Sequence, residues 1–184
     1  MLNPKECILY SGGASGAESC FGQLAEKHGL QEVNFSFEGH QMERNRGVRV
    51  LTSEELALKD VSLSYVSKLM NRQYTSAPLF RKVLQSICWQ VSSAHEVFVV
   101  GEILEDDTVK GGTGWGAEYS KICNKRLLVF DQKKDAWFLW QPGSGWQKQN
   151  EVTITERLFT GTGTRFLEEN GKKALEALFA KSFK

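Results

Sequence analysis

The sequence predicts an α/β fold, a mostly parallel sheet with helices on both faces. Three observations predict it. A short apolar run, a glycine-rich loop and a helix-like stretch follow one another three times. The runs are Cys7-Ile8-Leu9-Tyr10 before SGGASGAES, Val97-Phe98-Val99-Val100-Gly101 before a loop carrying GGTGWGAE, and Leu158-Phe159-Thr160 before GTGTR. The second run is nearly continuous in apolar residues, as expected of a strand covered on both faces. Strand-like and helix-like periods alternate along the whole chain, which favours parallel strands joined by helical crossovers.

The elements follow in order. Residues 6–10 read as the first strand. From Ala17 to Lys27, Ala17, Phe21, Leu24 and Ala25 share one helical face, and Gly29 ends that helix. Residues 33–37 alternate as a second strand. The basic stretch EGHQMERNRGVRV, 38–50, predicts no regular structure. Thr52 or Ser53 caps a helix, with Glu54 or Glu55 as the capping-box partner. That helix carries Leu56, Leu58, Val61, Leu63, Val66, Leu69 and Met70. Residues 71–78 break the pattern. A helix then runs from Pro78, suited to a first turn, to about Val91, with Phe80, Val83, Leu84, Ile87 and Val91 inward. After the strand at 96–101 come an acidic loop at Glu105-Asp106-Asp107 and a helix over 117–123. Strands follow over 126–130 and 136–140. A QPGSG turn leads to a hairpin partner near Trp146, then a last strand over 155–160 and a closing helix over 166–183.

A chain of 184 residues is long enough for one domain with a proper core. The net charge of +1 counts against a strongly electrostatic nucleic-acid partner. The N-terminal stretch lacks the apolar core of a signal peptide, and no segment reaches membrane-spanning length. The four cysteines form no CxxC pair and read as buried reduced thiols, which fits a cytoplasmic location. The three histidines have no metal-ligand spacing, so no metal site is expected.

Function concentrates in the three loops. A strand that feeds a glycine-rich turn into a helix exposes N–H groups at the helix N-terminus, where the dipole favours an anion such as phosphate. In the first loop Ser11, Gly12, Gly13, Ser15 and Gly16 let backbone approach a phosphate and add hydroxyls. The spacing is neither GxGxxG nor GxxxxGK[ST], which excludes the dinucleotide fingerprint and the P-loop; a tight strand-to-helix turn is the alternative reading. In the second loop Gly111, Gly112, Thr113, Gly114 and Trp115 precede Glu118. Trp115 offers a stacking face for a purine or pterin, or packs in the interior. Glu118 falls in a first helical turn, where it complements the dipole, or else bonds a ribose hydroxyl or polarises a glycosidic bond. In the third loop Gly161, Thr162, Gly163, Thr164 and Arg165 combine hydroxyl donors with a guanidinium that can fork onto phosphate. Otherwise Thr164 caps a helix and Arg165 pairs with Glu168 or Glu169. Arg44, Arg46 and Arg49 form a basic stretch able to clamp an anion or to lie solvated. Arg72 and Tyr74 sit in a break between helices, in a position for a lid.

GGTGWGAE resembles the GGxGTxxE pattern of the Lonely-Guy (lysine-decarboxylase-like) phosphoribohydrolases, with Trp115 in place of the threonine. That resemblance implies an Arg-Lys pair on a preceding helix, matched by Arg81-Lys82, and with Glu118 it implies a catalytic pair, Glu118 and Arg81. YSGGASGAES together with GGTGWGAEYSKICNKRLLVFD resembles the molybdenum-cofactor carrier-like proteins more. They belong to the same Rossmann-like superfamily, and in them an SGGQTGxD-type loop and a GGT-type loop line the ligand pocket. The resemblance covers the first loop and residues 95–131. Glu18 stands where the carrier-type loop has aspartate, and Ala77-Pro78-Leu79-Phe80-Arg81-Lys82 lacks the Met-His of the hydrolase pattern.

The resulting expectation is a Rossmann-like three-layer fold in one domain, 1–184. Its pocket takes a phosphorylated small molecule, a nucleotide or molybdopterin-like cofactor, as carrier or sensor. The alternative is a phosphoribohydrolase that cleaves the N-glycosidic bond of a nucleoside monophosphate. A nucleic-acid-processing relative is a third reading, disfavoured by the neutral charge. The apolar richness of 56–91 permits a homo-oligomer.

Overall fold

An eight-stranded sheet forms the middle layer of the protein, and the computed structural model describes residues 1–183. A 3-10 turn at Pro4–Glu6 leads to strand β1 (Ile8–Ser11), helix α1 (Ala17–Lys27), strand β2 (Gln31–Ser36) and a short strand β3 (Val48–Val50). Helices α2 (Ser53–Ala57), α3 (Asp60–Met70) and α4 (Pro78–Ser93) follow, then β4 (Glu96–Gly101) and α5 (Thr113–Ile122). The chain closes with β5 (Arg126–Asp131), β6 (Ala136–Gln141), β7 (Gly145–Gln149), β8 (Leu158–Gly163) and α6 (Glu169–Ser182). The strand order is β3-β2-β1-β8-β4-β5-β6-β7. All pairings are parallel except β5 with β6 and β6 with β7.

This order has a consequence for the site. From β1 the chain winds outward through β2 to β3, crosses to β4, and winds outward the other way. The slot between β1 and β4 is filled last, by β8. In open α/β sheets the crevice for ligands lies beyond the strand C-termini where the winding direction reverses. Here that place is the end of β1, β8 and β4.

Helices cover both faces, giving the expected Rossmann-like three-layer architecture. Strand β4 shows why its sequence is apolar throughout. Phe98 and Val100 join Phe21, Phe159 and Phe179 under α1 and α6, while Val97 and Val99 join Leu63, Leu84 and Val91 under α3 and α4. Each fully buried side chain of this kind contributes roughly 1.5–3 kcal/mol relative to exposure. A third cluster, Phe35, Phe37, Leu51 and Leu56, seals the β2 edge. No helix among the described residues is long and apolar enough to cross a membrane.

The sequence-based boundaries need five corrections. The helix expected from Thr52 to Met70 is two. Thr52 and Glu55 do form the capping box of α2, but a turn at Leu58 and Lys59 separates α2 from α3. Leu56 of α2 serves the cluster at the β2 edge, whereas Leu63, Val66 and Met70 of α3 serve the one under α4, and one straight helix does not reach both. Lys59 fixes the turn by donating to Ser92 Oγ at 2.9 Å, its ammonium 4.8 Å from the Trp89 ring. The turn leaves Leu58 exposed, and the outward face of α3 leaves Val61, Tyr65 and Leu69 exposed. Second, β3 occupies part of the stretch expected to be irregular; all three of its residues are exposed, so no buried alternation marked it. Third, α5 begins at Thr113 rather than Ala117. Its glycines are packing positions: a Cβ at Gly114 would meet the Val109 carbonyl and one at Gly116 the Ile87 side chain. Fourth, β8 is shifted to include Gly161, Thr162 and Gly163, because backbone pairing to Phe98, Val99 and Val100 of β4 holds these small residues in the sheet. Fifth, α6 begins at Glu169, and Phe166 lies exposed before it.

Candidate functional site

The C-terminal ends of β1, β8 and β4 open into a cavity of 580 Å³, within the usual ligand-pocket range of roughly 300–1,000 Å³. Six segments build its walls. The β1–α1 turn gives Gly12, Ala14 and Glu18; α4 gives Phe80, Val83, Ser86, Ile87 and Gln90; the β4–α5 connection gives Glu102, Lys110, Gly111, Gly112 and Thr113. Gln132 and Lys133 follow β5, and Thr162, Gly163, Thr164, Arg165 and Phe166 end β8. His40 reaches in from the loop after β2.

Two polar groups of different character meet this space. One is buried. The Glu18 carboxyl accepts from Thr162 Oγ1 at 2.8 Å and from the Ala14 N–H at 3.1 Å. Burial raises the Glu18 pKa; the bonds from Ala14 and Thr162 and the charge of Arg165 pull the other way without cancelling it. Gly12 makes room for this arrangement. A Cβ there would lie 2.7 Å from Gln90 Nε2 and 2.8 Å from Glu18 Oε2.

The other group is cationic and lies nearer solvent. Lys110 and Lys133 share the carboxylate of Glu102, at 3.1 and 2.6 Å, and the two ammonium groups hold Glu102 below the ordinary carboxylate range. Arg165 is exposed and makes no ion pair among the described residues. The α5 N-terminus adds backbone donors. The Gly114 and Trp115 N–H groups turn back onto the Gly111 and Gly112 carbonyls at 3.1 Å, which leaves the Gly112 and Thr113 amides as the open ones at the helix end. His40 stacks on Phe37, bonds Ser36 at 3.1 Å, and has its pKa lowered by burial and then by Arg165.

Of the residues singled out in the three loops, Gly12, Gly111, Gly112, Thr113, Thr162, Gly163, Thr164 and Arg165 line the cavity. The others sit elsewhere. Ser11 is buried and donates to the Gly161 carbonyl at 2.6 Å. The Gly13 carbonyl accepts from the Glu43 and Arg44 N–H groups, at 2.9 and 3.0 Å, anchoring the basic loop. Ser15 is exposed, Gly16 abuts the Thr164 and Arg165 carbonyls, and Gly161 abuts the Phe21 ring. Trp115 is buried, 5.8 Å from the Tyr74 ring centroid.

Glu118 and Arg81 are both outside the cavity lining, and each has a structural partner. Because α5 starts early, Glu118 lies in its second turn and pairs with Lys121 at 3.1 Å. Lys121 in turn sits 3.8 Å from the Trp140 ring and 5.2 Å from Trp146, binding the β6–β7 hairpin to α5. Arg81 pairs with Asp60 at 3.0 Å and lies 4.3 Å from the Tyr74 ring. Burial raises the Asp60 pKa, but its bonds from Tyr74, Arg81 and Gln85 more than offset that and lower it. Arg72 does not form a lid; it donates to the Gly111 and Val109 carbonyls at 3.1 and 3.0 Å, holding the turn before α5. Arg44 is likewise committed, to Glu32 at 2.6 Å and Glu26 at 2.6 Å.

Sequence reasoning missed Gln90 as a site residue and noted Glu18 only as a substituted position. A signal for Gln90 existed: it is a polar residue at helical spacing between Ile87 and Val91, on the buried face of α4. Phe80, expected to point inward, is half exposed because the cavity lies beside it.

No protein-family model matches the chain, and no curated protein matches it. Among solved structures it is similar to the "Putative molybdenum carrier protein" from Syntrophus aciditrophicus SB, with a TM-score of 0.56 over 96% of each chain and 12% sequence identity. At that identity the likeness is one of fold. Among the described residues no cluster of three or more His, Cys, Asp or Glu is arranged to hold a metal ion.

Proposed function

We propose that the cavity binds a phosphorylated small molecule built on a flat heterocycle, a nucleotide or a molybdopterin-type cofactor, and that the protein acts as its carrier or sensor. The observation that carries this reading is convergence: the glycine-rich ends of β1, β4–α5 and β8 meet in one cavity at the sheet's reversal point. The phosphate sits against the Gly112 and Thr113 amides and the α5 dipole, with Lys110, Lys133 and Arg165 supplying charge. Thr162, Gly163 and Thr164 complete that end, and Gly111 shapes the turn into it. Phe80, Val83 and Ile87 give the ring an apolar wall. The molybdenum carrier named in the fold comparison points the same way, and unpaired cysteines fit a cytoplasmic setting. The phosphoribohydrolase alternative needs Glu118 and Arg81 at the ligand, and no observation favours it, since their partners are Lys121 and Asp60.

Calorimetric titration with nucleoside monophosphates and neopterin monophosphate, each against its unphosphorylated form, tests the reading. The phosphorylated forms bind at least about tenfold tighter, as expected for charge-assisted contacts. Gly112→Leu abolishes binding, because even a Cβ would lie 3.3 Å from the Phe80 ring and the larger side chain enters the ligand space. Arg46→Ala, outside the cavity, leaves binding intact. Equal losses from the two substitutions contradict the proposal.

A further inference from the structure

We propose that Phe166 closes the cavity over the ligand's ring, so that the ring lies between Phe80 on one side and Phe166 on the other and the site selects aromatic heterocycles over bare sugar phosphates. This rests on the proposed binding of a phosphorylated heterocycle and adds the residue that grips the ring and the ligand feature it selects.

Phe166 lines the cavity with 85% of its surface exposed. Among the described residues it joins none of the three core clusters. A single exposed apolar side chain is ordinary on a protein surface. What sets Phe166 apart is that its backbone is held. Its N–H donates to Thr164 Oγ1 at 3.0 Å, and its carbonyl accepts from Gln132 Nε2 at 3.2 Å. The Glu168 N–H donates to Gln132 Oε1 at 2.7 Å, so one amide side chain grips the chain on both sides of Leu167. Gln132 is itself anchored. Its N–H donates to the Gly101 carbonyl at 3.0 Å, and its carbonyl accepts from Asn170 Nδ2 at 2.8 Å. Gly171 leaves room for this clamp, since a Cβ there would lie 2.5 Å from Gln132 Oε1. The backbone is thus fixed while the phenyl ring stays in water at the cavity rim, an unfavourable place for an apolar group until something flat covers it.

The position of Phe166 in the fold decides what it can touch. It lies in the connection from β8 to α6, and α6 packs with α1 on the sheet face of Phe98 and Val100. Phe80 lies in the first turn of α4, on the opposite face with Val97 and Val99. The two phenyl rings therefore reach the strand ends from opposite layers, and both line one cavity. A flat ring can present one face to each; a sugar phosphate has no such faces. Arg165, immediately before Phe166, is exposed and free for the phosphate, so adjacent residues serve the two parts of the ligand. Base–aromatic stacking tolerates every base, because each has a π-face. Phe166 accordingly selects for a ring without choosing among rings.

Calorimetric titration of GMP, AMP and neopterin monophosphate, with ribose 5-phosphate followed by displacement of the tightest of them, provides the test. Phe166→Ala is expected to weaken the three ring-bearing ligands about tenfold, the scale of one lost stack, and to leave ribose 5-phosphate within about twofold. Phe166→Tyr restores the affinity, whereas Phe166→Leu, apolar but not flat, recovers only part of it. Urea midpoints of the variants match that of the natural protein, because the side chain belongs to no core cluster. Unchanged affinity in Phe166→Ala, full recovery in Phe166→Leu, or an equal loss for ribose 5-phosphate overturns the proposal and leaves the phosphate site standing. A changed sedimentation coefficient in Phe166→Ala with unchanged affinity also overturns it and assigns the side chain to self-association. Failure of every phosphorylated ligand to bind the natural protein overturns the function proposed above as well.

Discussion

Replacing Lys121 with methionine separates a structural from a ligand-contacting role for the α5 carboxylate. Lys121 and Glu118 are largely buried, with side-chain exposures of 9% and 14%. The ammonium donates to the Asp107 carbonyl at 2.9 Å, and the Trp146 indole N–H reaches the same oxygen at 3.0 Å. Methionine keeps the stem and loses the charge. The lost cation–π contact with Trp140 is worth about 1–2 kcal/mol when desolvated. The charged hydrogen bond adds about 1.5 kcal/mol, and Glu118 is left without its counter-ion. The expected loss is about 3 kcal/mol, which for a chain of this size lowers Tm by about 6–12 °C. Glu118→Gln keeps an acceptor and costs about 1 kcal/mol. The double variant loses less than the sum, with a coupling of about 1–2 kcal/mol. Urea and thermal unfolding of the four proteins give these numbers. A Lys121→Met loss below about 0.5 kcal/mol, the level of an ordinary surface change, refutes the reasoning. So does a Glu118→Gln variant with unchanged stability and lost ligand affinity, which would place Glu118 at the ligand.

Two further outcomes follow from the site. Burial raises Glu18 above its ordinary 4.5, so the folded protein retains a proton that the unfolded chain releases. Its contribution to stability is fully present below about pH 4.5 and is lost as pH rises through the folded value; Glu18→Gln, which does not titrate, therefore gains stability relative to the natural protein across that window. Urea midpoints against pH measure this, and a pH-independent difference contradicts it. Arg165→Ala lowers affinity for a phosphorylated ligand by about tenfold and flattens its salt dependence; an unchanged salt slope in calorimetric titrations removes Arg165 from the anion site.

Elements whose own residues carry the structural cause were legible in the sequence. Helix α1 has a complete apolar face from Phe21 to Ala25, β4 is apolar on both sides, and Thr52 with Glu55 spells its capping box. Strand β8 was misplaced because Gly161, Thr162 and Gly163 look like a loop; pairing with β4 holds them, and that is a tertiary fact. The α5 boundary failed for a related reason, since Gly114 and Gly116 are poor helix formers that close packing against Val109 and Ile87 requires. Cavity residues such as Gly12, Gly112 and Arg165 were visible through loop chemistry. Glu18 and Gln90 were not assigned, because they lie 72 positions apart in sequence and acquire their role only when α1 and α4 flank the same end of the sheet.

The central claim is that the ends of β1, β8 and β4 form the binding site for a phosphorylated heterocycle. A crystal structure of the protein with neopterin monophosphate or GMP tests it most directly. The account predicts phosphate density within hydrogen-bond distance of the Gly112 and Thr113 amides and the ring against Phe80, Val83 and Ile87. Ligand density at any other surface, or a phosphate lodged against Glu18, would contradict it.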